Sequence, residues 1–168
     1  MNRKTMGKTV VGVCIGFQLF IACAFAEPIT PQRVVEWVEK SVKLIEEKGP
    51  DMAFPLLSDP KGCYVDGELY VFTYNMDGTI VQHLRPRLVG KNMMNIKDKN
   101  GKCLACDFVR IAKEEGKGWS QYWWPKPGNK ELSLKISYIM KIPNHELFVG
   151  AGLYDITLEE AKAAMKKK

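Results

Sequence analysis

Apolar residues return at helical spacing soon after the start of the chain. Val34, Val35, Val38, Val42 and Ile45 recur every three or four positions. Thr30-Pro31 offers an N-cap and a proline in the first turn, and Gly49-Pro50 stops the run. Glu36/Lys40 and Glu39/Lys43 pair at i,i+4 on the other side. The pattern predicts one long amphipathic helix over 31–48, whose apolar stripe must lie on something, and a further turn of helix over 51–57.

The period then changes from 3.6 to 2. Residues 67–74 (Gly-Glu-Leu-Tyr-Val-Phe-Thr-Tyr) are rich in β-formers. Asn75-Met76-Asp77-Gly78 is a turn signal, and residues 79–83 resume the strand pattern, so a hairpin is predicted. Tyr70, Phe72 and Tyr74 share one face of its first strand, and Leu69, Val71 and Thr73 the other. Both sets are apolar enough to predict a central strand covered on both sides. Residues 84–101 are polar and turn-rich. Leu104, Phe108, Ile111 and Ala112 predict a helix over 104–115, ended by Gly116. Strands follow over 119–124, 132–142 and 147–154, separated by turns at 125–129 and 143–145. Thr157-Leu158-Glu159-Glu160 is a capping box opening a last short helix. Consecutive strands with tight turns favour an antiparallel sheet with helices packed on it, an α+β fold.

The N-terminus predicts an address. Arg3, Lys4 and Lys8 precede a largely apolar stretch from Thr9 to Ala22, and Ala24-Phe25-Ala26 puts small residues where a signal peptidase cuts. Residues 1–26 are therefore expected to be a cleaved signal peptide, leaving 27–168 as one domain outside the inner membrane, periplasmic or secreted. The stretch is short for a spanning helix, which needs about 20 apolar residues. An uncleaved anchor and a lipoprotein acylated at Cys23 are the alternatives. The signal carries three of the cations behind the formal charge of +6. The remaining basic excess is too thin for a nucleic-acid footprint.

Cys63, Cys103 and Cys106 remain after cleavage, in an oxidising compartment. Three is odd, so one thiol is unpaired or pairs between chains. A structural disulfide between two of them is expected. Cys103-x-x-Cys106 alternatively reads as a thiol–disulfide redox pair, and with Cys63 and His145 as a zinc set. No nucleophile–base–acid set, phosphate loop or metal motif is legible, so neither catalysis nor a cofactor is expected.

The series of short motifs is more specific than any of its parts. Gly67-Glu68-Leu69-Tyr70-Val71-Phe72, Asp77-Gly78, His83 and Pro86-x-Leu88-x-Gly90-Lys91-Asn92 run in order. Lys97-Asp98-x-x-Gly101-Lys102, then Gly116-Lys117-Gly118-Trp119-x-x-Tyr122-Trp123-Trp124-Pro125, continue it. Lys135-x-x-Tyr138 and Val149-Gly150-Ala151-Gly152-Leu153-Tyr154 close it. Together they resemble a single Cache domain over essentially the whole chain after the signal. The resemblance implies a PAS-like antiparallel sheet with a long N-terminal helix packed on it. It also implies a sensor or binding domain for small extracellular ligands, often short carboxylates, and allows a homodimer through the long helix. Such domains commonly sit between two membrane helices and feed an output module. Neither is visible here, which leads to the expectation of a diffusible binding protein, or one that hands its ligand or conformation to a membrane sensor or transporter.

A carboxylate pocket needs cations and donors against an apolar wall. His83, Arg85 and Arg87 follow the hairpin. Alternation around Pro86 lets at most one of the two arginines point inward, and His83 reads equally as a donor or as a satisfied strand-end histidine. Lys135 alone reads as solvent-facing; the resemblance places it in the pocket with Tyr138. Their separation of three puts them on opposite faces of a regular strand, so both reach one pocket only if that strand bulges. Tyr70, Phe72, Trp119 and Tyr122 complete the expected ligand set, with plain core packing as the competing reading for each aromatic.

Overall fold

The computed structural model describes residues 28–166, so the expected signal peptide at 1–26 lies outside the described residues. Helix α1 spans Pro31–Lys48. The Thr30 hydroxyl accepts the Arg33 N–H, and Gly49, at φ 75°, ends the helix with its N–H on the Ile45 carbonyl. The turn of helix expected next is a full helix, α2, over Pro50–Ser58.

Six strands form one antiparallel sheet. They are β1 (Val65–Asp66), β2 (Leu69–Asn75), β3 (Ile80–His83), β4 (Lys117–Pro125), β5 (Leu132–Lys141) and β6 (Leu147–Tyr154). The long strands run β3-β2-β6-β5-β4, and β1 extends the outer edge of β2. Five of these strands were legible as period-2 runs. The two-residue β1 was not, because a strand that short carries no alternation.

The sheet has two covered faces. On one, Val34, Val38, Val42 and Ile45 of α1 pack onto Leu69, Val71, Ile136, Tyr138, Val149, Ala151 and Leu153. On the other, Tyr70, Phe72, Tyr74, Tyr122, Ile139 and Phe148 are roofed by helix α3 (Leu104–Arg110), chiefly through Phe108. The helix expected over 104–115 is α-helical only to Arg110; Ile111–Glu115 widens to a π turn. A last helix, α4, covers Leu158–Lys166, with the Glu160 carboxylate accepting the Thr157 N–H as the capping box requires. This is the PAS-like α+β fold that the sequence resemblance implied.

One irregularity matters for the site. In the β2–β3 pairing Tyr74 opposes Ile80 but Thr73 opposes Gln82, so Val81 is bulged. Ile80 and His83, an odd number of residues apart, thereby turn to the same face: Ile80 joins the α3-side core and His83 stacks on Phe72. Gln82 turns the other way, where it accepts the Thr73 hydroxyl and donates to Ser58.

Candidate functional site

The α3-side face of the sheet carries a polar cluster inside an aromatic enclosure. Its centre is Lys135. Cross-strand register sets Lys135 of β5 between Tyr122 of β4 and Tyr154 of β6. The residue is 0% exposed. Its Nζ lies 4.0 Å from the Tyr70 ring centroid, 4.9 Å from that of Tyr154 and 5.5 Å from that of Phe72. Among the described residues, Nζ is the buried side-chain nitrogen or oxygen atom that lacks a hydrogen-bond partner. Burial drives its pKa down, and the adjacent Tyr70 hydroxyl opposes that shift without cancelling it. A buried amine left unpaired costs several kcal/mol if charged.

His83 and Arg85 approach from β3. The Nδ1 of His83 accepts the Arg85 N–H at 2.8 Å, which fixes the imidazole proton on Nε2 as a donor. Burial above all, then the neighbouring basic side chains Lys135 and Arg85, push the His83 pKa down to about 3, so the ring is neutral at ordinary pH. The Arg85 guanidinium donates to the carbonyls of Pro125 (2.9 Å) and Lys126 (2.6 Å) at the end of β4. These bonds hold its charge beside the cluster. The Tyr154 hydroxyl donates to the same Pro125 carbonyl at 3.1 Å and lies 3.4 Å from the Tyr70 hydroxyl. Tyr122 and Ser137 share a hydrogen bond of 2.9 Å deeper in. Burial raises the phenols of Tyr122 and Tyr154, which keeps both protonated. The acids nearest this end, Glu68 and Asp155, are both paired with Lys126. The cluster thus presents basic groups and neutral donors, with the neighbouring carboxylates engaged by Lys126.

Room for these groups comes from β6, where Gly150 and Gly152 face the cluster. A Cβ on Gly150 would stand 2.3 Å from the Phe72 ring, and one on Gly152 2.3 Å from the Ser137 hydroxyl. Two open clefts of about 460 and 320 Å³ meet at Arg85 and Arg87, between the 86–88 turn and the β4–β5 connection. A cleft of about 430 Å³ between the start of α1 and the end of α4 is remote from this chemistry.

The expected ligand residues therefore divide. Tyr70, Phe72, His83, Arg85, Tyr122 and Lys135 are brought together. Trp119 and Tyr138 are not: β5 is regular, so Tyr138 faces α1, and Trp119 meets its ring there at a tilt, 5.2 Å between centroids. The bulge that would have united Lys135 with Tyr138 lies in β3 instead. Arg87 is exposed on the 86–88 turn and lines the clefts only. Tyr154 and Ser137 were missed. The alternation Gly150-x-Gly152-x-Tyr154 was their legible signal, since it aims Tyr154 at the same face as the two glycines.

The cysteines resolve as a disulfide between Cys103 and Cys106 at the start of α3, with Cys63 free and exposed. Paired to one another, Cys103 and Cys106 cannot complete a zinc set with Cys63 and His145. Among the described residues no helix is long and apolar enough to cross a membrane.

A PAS-like sheet with an enclosed polar cluster on the face opposite its long helix is the architecture of small-ligand sensor domains. The chain belongs to the Cache domain family, whose family model matches residues 30–168. Over 97 residues it is 30% identical to the sensor histidine kinase MctS of Rhizobium johnstonii, covering 56% of this chain and 21% of that protein. The match thus spans about a fifth of that curated relative. Among solved structures, the periplasmic sensor domain of a chemotaxis protein superposes with a TM-score of 0.62 at 27% identity, over 75% of this chain and 90% of that one. A Cache chemosensory domain described for carboxylic acid recognition has the same fold, with a TM-score of 0.62 at 23% identity over 75% and 88% of the two chains. Cache sensor domains of chemoreceptors and histidine kinases bind small ligands.

Proposed function

We propose that residues 27–168 act outside the inner membrane, after a cleaved signal at 1–26, as a binding domain for a small carboxylate. The observation that carries this reading is the Lys135 amine, fully buried and without a hydrogen-bond partner. A carboxylate supplies the missing acceptor and charge, with the Arg85 guanidinium and the Nε2–H of neutral His83 as further donors. The Phe72, Tyr70 and Tyr154 rings that surround the amine offer a short tail an apolar wall. The family relationship and the carboxylic acid recognised by a domain of the same fold support the same ligand class. The occupied state would be read by a membrane sensor or transporter partner. The thiol–disulfide reading has less support: Cys103 and Cys106 form the first turn of α3, where the Cys103 sulfur accepts the Cys106 N–H.

A thermal-shift screen against C2–C4 mono- and dicarboxylates tests the proposal. A small monocarboxylate raises Tm by mass action, and the shift disappears in Lys135→Met. No shift with any acid, or a shift that survives Lys135→Met, overturns it.

A further inference from the structure

We infer that the ligand's binding is proton-linked: Lys135 stands as a neutral amine in the free site and takes up one proton as the carboxylate binds. This rests on the carboxylate reading and adds a regulation to it. From β2, Lys135 is faced by Tyr70; from β4, by Tyr122; from β6, by Tyr154; and from the end of β3, by His83 and Arg85. Of these, Arg85 is a cation, which disfavours a second positive charge beside it. His83 is neutral. Tyr122 and Tyr154 remain protonated phenols. Glu68 is an acid that bears on Lys135, and its carboxylate is held by Lys126 at 2.9 Å. An ammonium here would have three aromatic faces and no acceptor oxygen. Cation–π attraction, even when desolvated, returns less than an unpaired buried ion costs.

Tyr70 is the one internal source from which the amine could draw a proton. Burial raises its phenol and Lys135 lowers it, with the lowering dominant. A phenolate–ammonium pair in so enclosed a place would need the nitrogen in line with the phenol oxygen, whereas Lys135 Nζ sits over the Tyr70 ring, 4.0 Å from its centroid. The free site therefore resolves to two neutral groups. The downward shift of Lys135 by burial agrees.

Binding reverses the balance. A carboxylate beside Nζ favours the ammonium and raises the amine's pKa, so the proton enters with the anion. An amine whose pKa is low in the free site and high in the complex gives full affinity below the free-site pKa. Affinity then falls as pH rises through that value, by up to tenfold per pH unit, until the pKa of the complex is reached. His83 does not share this window, because its pKa lies near 3.

The test is calorimetric titration of the purified protein with sodium acetate, propionate and pyruvate at pH 6.5, 7.5 and 8.5. Each run is made in phosphate and in Tris, whose ionisation heats differ. The expected result is a buffer-dependent heat corresponding to uptake of up to one proton, with Kd weakening by up to tenfold per pH unit. Lys135→Arg, always charged, loses the buffer dependence. Equal heats in both buffers with a pH-independent Kd overturn the inference and leave the carboxylate reading standing. Absence of binding by every acid overturns both. In the ligand-free protein, ¹³C-lysine NMR provides a second readout. One lysine signal, absent from Lys135→Arg, is expected to titrate well below the rest; its co-titration with the others overturns the neutral-amine state.

Discussion

The Nζ of Lys135 lies 4.0 Å from the centre of the Tyr70 ring, above an aromatic face and without an oxygen to bond. Two residues on different strands thus hold an amine where its charge is unwelcome. That placement is costly for folding, and under the proposed function it serves binding, so stability and function separate in a measurable way.

Lys135→Met keeps the length of the side chain and removes the orphaned nitrogen. The variant is expected to be more stable than the wild type, by about 1–3 kcal/mol, while losing carboxylate binding. Urea denaturation reads this as a higher midpoint at unchanged slope. A destabilised variant would mean that the amine is satisfied in the free protein.

The two faces of the sheet predict opposite outcomes for similar substitutions. Arg85→Ala removes the cation beside the cluster and should weaken binding by roughly tenfold to a hundredfold. Tyr138→Phe acts on the α1 side and Arg87→Ala on the exposed turn, so both should leave Kd within about threefold. A strong loss in Tyr138→Phe would contradict the facing described here.

Gly152→Ala puts a methyl group 2.1 Å from the Ile136 carbonyl, which belongs to a paired strand and cannot step aside. Gly150→Ala meets the Phe72 ring, a side chain with some freedom. Overpacking should cost about 1–3 kcal/mol, with the larger loss at Gly152. Chemical denaturation of both variants checks the order.

His83 gives stability its own pH dependence. Its pKa is about 3 in the folded protein and near 6.5 unfolded, so the unfolded chain binds the extra proton. The contribution is complete above pH 6.5 and is lost as pH falls toward 3, at up to about 1.4 kcal/mol per unit. Across that window His83→Gln should show a shallower fall in stability than the wild type. Parallel profiles would show that His83 titrates normally.

The Cys103–Cys106 disulfide closes a very short loop, so its removal should cost about 2 kcal/mol or less. Cys103→Ser/Cys106→Ser is expected to lower Tm modestly and to keep the carboxylate-induced shift. Loss of the shift with Tm intact would assign the pair a role in the site.

Much of this arrangement was legible from the sequence, for identifiable reasons. The Val34–Ile45 stripe reads as a helix because its period is sustained over about three turns. The long strands read as such because Gly, Pro and Asn-Gly-type turns bound them. Tyr70 and Phe72 are assigned to one face by strict alternation, which held. Alternation also argued that Tyr138 opposes Lys135, and β5 obeys it; the motif resemblance had drawn both into one pocket. The bulge at Val81 left no local mark, since no glycine or proline signals it, and yet it turns His83 inward. Lys135 itself could not be read as buried from its neighbours. Its enclosure depends on Tyr70, Tyr122 and Tyr154 from three other strands, a juxtaposition made by the fold.

The most direct test of the whole account is a crystal structure of residues 27–168 with propionate. The account predicts a carboxylate on the α3 side of the sheet, one oxygen within hydrogen-bonding distance of Lys135 Nζ and the tail against Phe72 and Tyr154. A ligand bound against Trp119 and Tyr138 on the α1 side, or confined to the outer clefts with Lys135 still unpartnered, would contradict it.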